Sequence, residues 1–306
     1  MPMPSPKPDR AFIESMRTEQ HPDREHPNIA ENVAFHRALV IGCNQDRDLQ
    51  ADLFTPAELP REPRPAIVFL HGGSWLAGGP SQFHFHANRL ADRYGFYALS
   101  VDYRLSGEAP FPAALQDAHC AMRWIRSQAR DQHIDPQRIV VAGGSAGAHL
   151  ASMLITSAAS KAHRGDGGQD DFSSHANLAI LFNGEYDMWD LVEKGSLLDA
   201  MQQFIGGTPD AMPHKYDELS SIQHVHAEMP PVLLLHGTED RCVSHEQSIA
   251  FHQRLLDHNV DSEIEIYEGK PHAWFNREPD RTTTCERMES FIASRFALAP
   301  DARCTA

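Results

Sequence analysis

The chain has 306 residues, and 27 Lys and Arg stand against 42 Asp and Glu, a formal charge of −15 at pH 7. That surplus repels phosphate backbones over most of the surface and argues against nucleic acid as a partner. A hydrophobic share of 41% with 23% charged residues is ordinary for a globular protein with room for a large core, and excludes disorder on a chain-wide scale and a stapled miniprotein.

Residues 1 to about 35 are rich in Pro, His and charge and read as an arm laid over the body. From 36 to 306 the pattern is that of a single domain. Short apolar, β-branched runs bounded by Gly and Pro predict strands at 37–41, 49–54, 66–71, 96–103, 138–142, 178–183, 232–236 and 262–267. Helical spacing covers 81–94, closed by Gly95, and joins Leu115, Ala118, Met122 and Ile125. Ser244 and Gln247 form a capping-box pair opening a helix that carries Ile249, Leu255 and Leu256. Strands alternating with helices predict an α/β fold with a mostly parallel, eight-stranded sheet. Two stretches break the rhythm. One, at about 157–176, is rich in Gly, Ser and Asp; the other, at 184–230, holds Trp189, Phe204 and Ile205. Loops that long in a compact domain are usually lids or binding segments. Cys43, Cys120, Cys242, Cys285 and Cys304 are scattered without a CxxC pair, which points to a reducing compartment rather than a disulfide framework. No stretch approaches the ~18 apolar residues of a membrane span, and the first residues lack an apolar export core. The expectation is a cytoplasmic protein with no membrane partner.

The strongest chemical signal is Gly143-Gly144-Ser145-Ala146-Gly147, a G-x-S-x-G sequence between a strand ending at Ala142 and a helix beginning at Ala148. A sharp strand-to-helix turn exposes the serine Oγ and needs small neighbours. The helix also aims NH groups at negative charge forming there. His71-Gly72-Gly73-Ser74-Trp75 follows the third strand, and its glycines let consecutive NH groups converge, so Gly73, Ser74 and Ala146 are the candidate oxyanion donors. A serine needs a base, and the base needs an orienting carboxylate. If the order is serine, acid, histidine, Asp240 follows the seventh strand and His272 follows the eighth, beyond Glu268-Gly269-Lys270-Pro271. Asp187, after the sixth strand, is the main rival acid and Glu239 a lesser one. His245, His252 and His258 fall on the solvated face of a helix. His84 with His86, and His224 with His226, have an i, i+2 spacing poor for a metal site and read as surface histidines, so no metal is expected.

Together, His71-Gly72-Gly73-Ser74-Trp75, Asp102-Tyr103-Arg104-Leu105, Phe111 to Asp117, the 143–151 segment, His236-Gly237-Thr238-Glu239-Asp240 and the 269–275 segment resemble an alpha/beta-hydrolase serine esterase. The hormone-sensitive-lipase-like and acetylxylan/feruloyl-esterase-like branches are the nearest in pattern, over about residues 37–296. The resemblance implies an alpha/beta-hydrolase fold with a small lid insertion, Ser145 as nucleophile, Asp240 as acid and His272 as base. It also implies an oxyanion hole from the 72–74 loop with Ala146, and no cofactor. Ser74 stands where lipase-like members often have a third glycine, and Ala148 where many have glycine. Asp102-Tyr103-Arg104 reads as structural, its charged groups pinning the oxyanion loop. Trp75, Trp189 and Trp274 surround the site elements in sequence, as core packing or as an aromatic wall for substrate. The implied activity is hydrolysis of short-chain acyl esters through an acyl-enzyme, with a small-molecule ester as partner. The alternatives are arylformamidase-like amide hydrolysis and a feruloyl/acetylxylan-type esterase on sugar esters. All three triad positions are occupied, so nothing favours a degenerate hydrolase used as a binding module. The oligomeric state stays open, a homo-oligomer included.

Overall fold

The structure, a computed structural model, describes residues 27–44, 47–157 and 160–300. Eight strands form one sheet: β1 (Val33–Asn44), β2 (Arg47–Pro56), β3 (Arg64–Leu70), β4 (Tyr97–Asp102), β5 (Ile134–Gly144), β6 (Leu178–Phe182), β7 (Val232–Gly237) and β8 (Ser262–Tyr267). Their spatial order is β1-β2-β4-β3-β5-β6-β7-β8. β1 and β2 pair antiparallel, as do β2 and β4, and every later neighbour is parallel. All eight predicted strands are present. β1 begins at Val33, inside the segment read as an arm, and the Ala30 NH already donates to Asn88 Oδ1 at 3.1 Å. The rest of that segment, residues 1–26, lies outside the described residues, as does Cys304.

The sequence explains why the middle of the sheet is where it is. β3 is Arg-Pro-Ala-Ile-Val-Phe-Leu, buried at every position. A continuous apolar run is what a parallel strand covered on both faces requires. Val68 and Leu70 face one core with α2 (Ala113–Ser127), α3 (Ala146–Thr156) and α8 (Glu246–Asp257). Ile67 and Phe69 face the other with α1 (His84–Tyr94) and α9 (Asp280–Phe296). Each such fully buried side chain stabilises the fold by roughly 1.5–3 kcal/mol over its exposed state. α1 ends where Gly95 takes φ 71°, a left-handed cap that glycine adopts without strain.

Three expectations change. The capping box at Ser244 does not form: α8 starts at Glu246, and Gln247 is turned inward, its Oε1 accepting from the Tyr186 and Asp187 NH groups at 2.8 Å each. The buried face of α8 is accordingly Gln247, Ser248, Phe251 and Leu255, while Ile249 and Leu256 are exposed. His84 and His86 are core residues, not surface ones. His84 Nε2 meets Asp52 Oδ2 at 2.8 Å, and His86 lies among Phe69, Phe83, Phe182 and Phe275, where burial pushes its pKa down to about 3. The 160–176 stretch is a strap against α2 rather than a lid: after the one-turn α4 (Lys161–Arg164), Arg123 donates to the carbonyls of Arg164 and Gly168 at 2.7 and 2.9 Å. The longer stretch folds into three short helices, α5 (Met188–Lys194), α6 (Leu198–Ile205) and α7 (Pro213–Leu219). Among the described residues no helix is long and apolar enough to cross a membrane, and Cys43, Cys120, Cys242 and Cys285 are free thiols.

Candidate active site

Ser145 sits at the junction of β5 and α3 with φ 52° and ψ −126°. A non-glycine residue held there costs on the order of 1–3 kcal/mol, so its surroundings must fix it. Its NH donates to the Phe182 carbonyl at 2.9 Å, and its carbonyl accepts from the His149 NH at 3.0 Å. The turn can be this tight only because of Gly147, where a Cβ would lie 2.0 Å from the Leu70 carbonyl oxygen.

Three predicted residues from three loops meet here. His272 Nε2 is 3.0 Å from Ser145 Oγ, and His272 Nδ1 is 2.6 Å from Asp240 Oδ2. Asp240 Oδ1 accepts from the Cys242 and Val243 NH groups at 2.9 and 2.8 Å, and Oδ2 also faces His236 Nε2 at 3.1 Å. Burial alone would raise the Asp240 pKa, but His272 and His236 hold it well below the usual carboxylate range. For His272 burial would lower the pKa, and the Asp240 carboxylate raises it above that of a free imidazole. Asp240, Cys242 and His272 also bring potential metal-ligand atoms within 4.8 Å of one another. Two of those groups are already bonded to each other, and burial pushes the Cys242 thiol far up.

Of the two rival acids, one is engaged elsewhere and the other is exposed. Asp187 caps α5, its Oδ1 accepting from the NH groups of Trp189 and Asp190 at 2.9 and 3.3 Å. Glu239 is exposed.

The loop expected to supply oxyanion donors curls through three successive positive φ values, 125° at Gly73, 53° at Ser74 and 60° at Trp75. Ser74 thus holds a left-handed backbone conformation, which glycine adopts without strain. The Gly73 carbonyl accepts from the Leu76 and Ala77 NH groups at 3.0 and 3.1 Å. A Cβ on Gly72 would lie 3.3 Å from Ser145 Cβ, so the loop abuts the serine turn. Its pin is the Tyr103 hydroxyl, which donates to the His71 carbonyl at 2.7 Å, with the two rings stacked at 4.2 Å. The charges flanking Tyr103 act elsewhere: Arg104 pairs with Asp117 on α2 at 2.9 Å and Asp102 with Arg47 at 3.2 Å.

The aromatic wall is not built as expected. Trp75 is fully buried, stacked on Phe204 at 4.8 Å, and its Nε1–H donates to His149 Nδ1 at 3.2 Å. His149 Nε2 in turn reaches the Leu219 carbonyl at 3.0 Å, so the oxyanion loop, α3 and α7 are linked through one imidazole. Trp274 is buried against Tyr267 and Phe275. Trp189, half-buried on α5, packs on Tyr216 and donates to Asp217 Oδ1 at 2.7 Å.

Sequence reasoning missed three polar neighbours. Besides His236, these are Asn183, whose Nδ2 lies 3.2 and 3.3 Å from the two His272 nitrogens, and Glu185, whose Oε1 is 3.2 Å from Ser145 Oγ. The available signal was position: both follow β6 at the same sheet edge, beside Asp187, which drew attention instead.

The order in which the chain delivers these groups, serine then acid then histidine, each from the carboxyl edge of a mostly parallel sheet, is the arrangement of the alpha/beta-hydrolase fold. The chain belongs to the BD-FAE family, whose model matches residues 51–255. It is 29% identical to esterase LipC of Mycobacterium tuberculosis over 224 residues, 72% of this chain and 55% of that protein. A probable isoprenylcysteine alpha-carbonyl methylesterase of Oryza sativa is 28% identical over 276 residues, 87% of this chain and 65% of that protein. The chain therefore spans about half to two thirds of the length of these curated relatives. Of solved structures, the propionate-bound thermophilic esterase Est2 of Thermogutta terrifontis superposes with a TM-score of 0.74 at 29% identity, covering 89% of this chain and 97% of that one. Its sarin-phosphonylated form gives 0.75 at 28% identity, covering 90% and 99%.

Proposed function

We propose that the protein is a serine carboxylesterase acting on short-chain acyl esters. Ser145 Oγ attacks the ester carbonyl while His272 Nε2 takes its proton, and Asp240 holds the Nδ1–H and balances the imidazolium. The NH groups of Gly73, Ser74 and Ala146 hold the oxyanion. The alcohol leaves with the proton from His272, and water then repeats the sequence on the acyl-enzyme to free the acid. The observation that carries this reading is the continuous chain from Oγ to Nε2 at 3.0 Å and from Nδ1 to Oδ2 at 2.6 Å, on a serine held at φ 52°.

Three things support a short acyl group. The Thermogutta terrifontis esterase was solved with propionate and with butyrate bound. Among the described residues, the exposed large apolar side chains Val40, Leu59, Phe172, Ile249 and Leu256 all lie outside the 184–230 segment, so that segment offers no broad apolar face for docking on lipid. The −15 charge adds repulsion from anionic surfaces. A p-nitrophenyl ester series run below the micelle threshold, with methyl ferulate and N-formylaniline alongside, tests the reading. The expected result is a kcat/KM maximum between acetyl and butyryl. A maximum at eight carbons or longer overturns the chain-length assignment, and faster turnover of the formanilide or the ferulate transfers the protein to that reaction.

A further inference from the structure

A hydroxyl carries one proton, yet Ser145 Oγ has two acceptors in reach, His272 Nε2 at 3.0 Å and Glu185 Oε1 at 3.2 Å. The acyl-transfer steps above make no use of Glu185. It is fully buried three residues past the end of β6, and its Oε2 has no hydrogen-bond partner. Its backbone is held on both sides. A Cβ on Gly184 would lie 2.7 Å from Ala148 Cβ and 2.6 Å from Tyr186 Oη, and the next two NH groups are fixed by Gln247 Oε1. The carboxyl group is thus anchored beside the nucleophile.

We propose that Glu185 is a positioning residue that decides which way the Ser145 proton points; this rests on the assignment of Ser145 and His272 made above. As a neutral acid, Glu185 donates its own O–H to Oγ, and the serine proton is left for His272. As a carboxylate, it accepts the serine proton in competition with His272 and adds negative charge beside the forming oxyanion. The proton that Glu185 gains or loses is exchanged with solvent, and no bond to the substrate is involved.

The titratable groups that face it are His272, Asp240, Tyr103, Tyr186 and Cys242. Burial pushes Tyr103, Tyr186 and Cys242 far up, so they stay neutral, and Asp240 stays ionised. Burial also pushes Glu185 up to about 7, opposed by His272, by its own main-chain NH and by Ser145. Its carboxylate in turn raises His272. The two groups therefore titrate as a pair, and the productive form, with both neutral, lies between the first and second proton loss.

The test is kcat/KM on an acetyl ester from pH 5 to 9.5 for wild type, Glu185→Gln and Ser145→Ala. Wild type should fall by about tenfold from pH 7 to 9. Glu185→Gln, whose amide donates at every pH, should hold its pH 7 value through pH 9, and its acid limb should move to lower pH. A flat alkaline side in wild type, or the same fall in Glu185→Gln, overturns the proposal. If Glu185→Gln does not fold, ¹⁵N-histidine NMR of wild type decides: the His272 signals should move in two steps, and a single step overturns it. Turnover by Ser145→Ala sinks the esterase assignment itself, whereas an inactive Ser145→Ala beside a flat wild-type profile sinks the Glu185 role alone.

Discussion

The loops after β6 and β7 each bury a carboxyl group beside the Ser145–His272 pair, one against the serine and one against the imidazole, and the outcomes are opposite. After β7, Asp240 is ringed by two backbone NH groups and two imidazoles, and its pKa is held far down. After β6, Glu185 meets the Ser145 hydroxyl and its own main-chain NH, keeps one oxygen without a partner, and is pushed up to about 7. Both side chains are out of water. What separates them is the number of fixed donors that replace the lost hydration, because a buried charge survives only where such dipoles compensate it. Asp240 can thus serve as a permanent ion that stabilises an imidazolium, while Glu185 changes charge in the working range.

The contrast can be broken most severely at the nucleophile. Ser145→Ala should lower kcat by about 10⁶-fold, the scale set by a comparable serine hydrolase, and a fluorophosphonate that adds one adduct to wild type should add none to the variant by mass spectrometry. Asp240→Asn comes next, with a fall of about 10⁴-fold, since the wrong His272 tautomer is then held; steady-state kinetics that show less than about tenfold would return Asp187 to candidacy. Removing one donor from the Asp240 ring with His236→Ala should cost about 10-fold to 100-fold in kcat/KM, the worth of a hydrogen bond to a charged group. On the acid side, His272 must be neutral to accept the serine proton. Its raised pKa therefore places the fall in kcat/KM at or above the free-imidazole value of about 6.5, and a profile flat down to pH 5 contradicts a histidine base. The smallest effect sharpens the β6 side. Asp187→Ala should lower unfolding stability by about 1 kcal/mol through loss of the α5 cap, read by urea denaturation, with kcat changed less than about threefold.

Most of this edge was legible because each chemical group is tied to a strand end, and strands announce themselves by β-branched runs. That rule places Ser145, Asp240 and His272 at strand ends of one sheet, and the structure brings the three side chains together. What escaped was set by tertiary contacts. Gln247 matches a capping box in sequence, but its side-chain oxygen accepts from the Tyr186 and Asp187 NH groups, which no local pattern reveals. His84 and His86 looked polar in sequence, yet one has Asp52 to bond and the other is held neutral inside an aromatic cluster. Trp75 could have faced a substrate or the core, and only the position of Phe204, far along the chain, places it in the core. Glu185 lies next to Tyr186 and Asp187, and nothing in that local pattern separates a carboxyl aimed at the nucleophile from one that caps a helix.

The Trp75–His149–Leu219 link bears on how interchangeable the parts of this fold are. Burial holds His149 neutral, down to about 4, so its two nitrogens play fixed parts, accepting from the indole and donating to a carbonyl of α7. A chimera carrying a foreign 184–230 segment would remove Phe204 and the Leu219 carbonyl together, leaving the indole and the imidazole without their far-side contacts. The loop that carries Gly73 and Ser74 continues into that indole, so a transplant of the segment would also disturb the loop proposed to hold the oxyanion. A transplant of the 184–230 segment would have to carry Trp75, His149 and Gln247 with it.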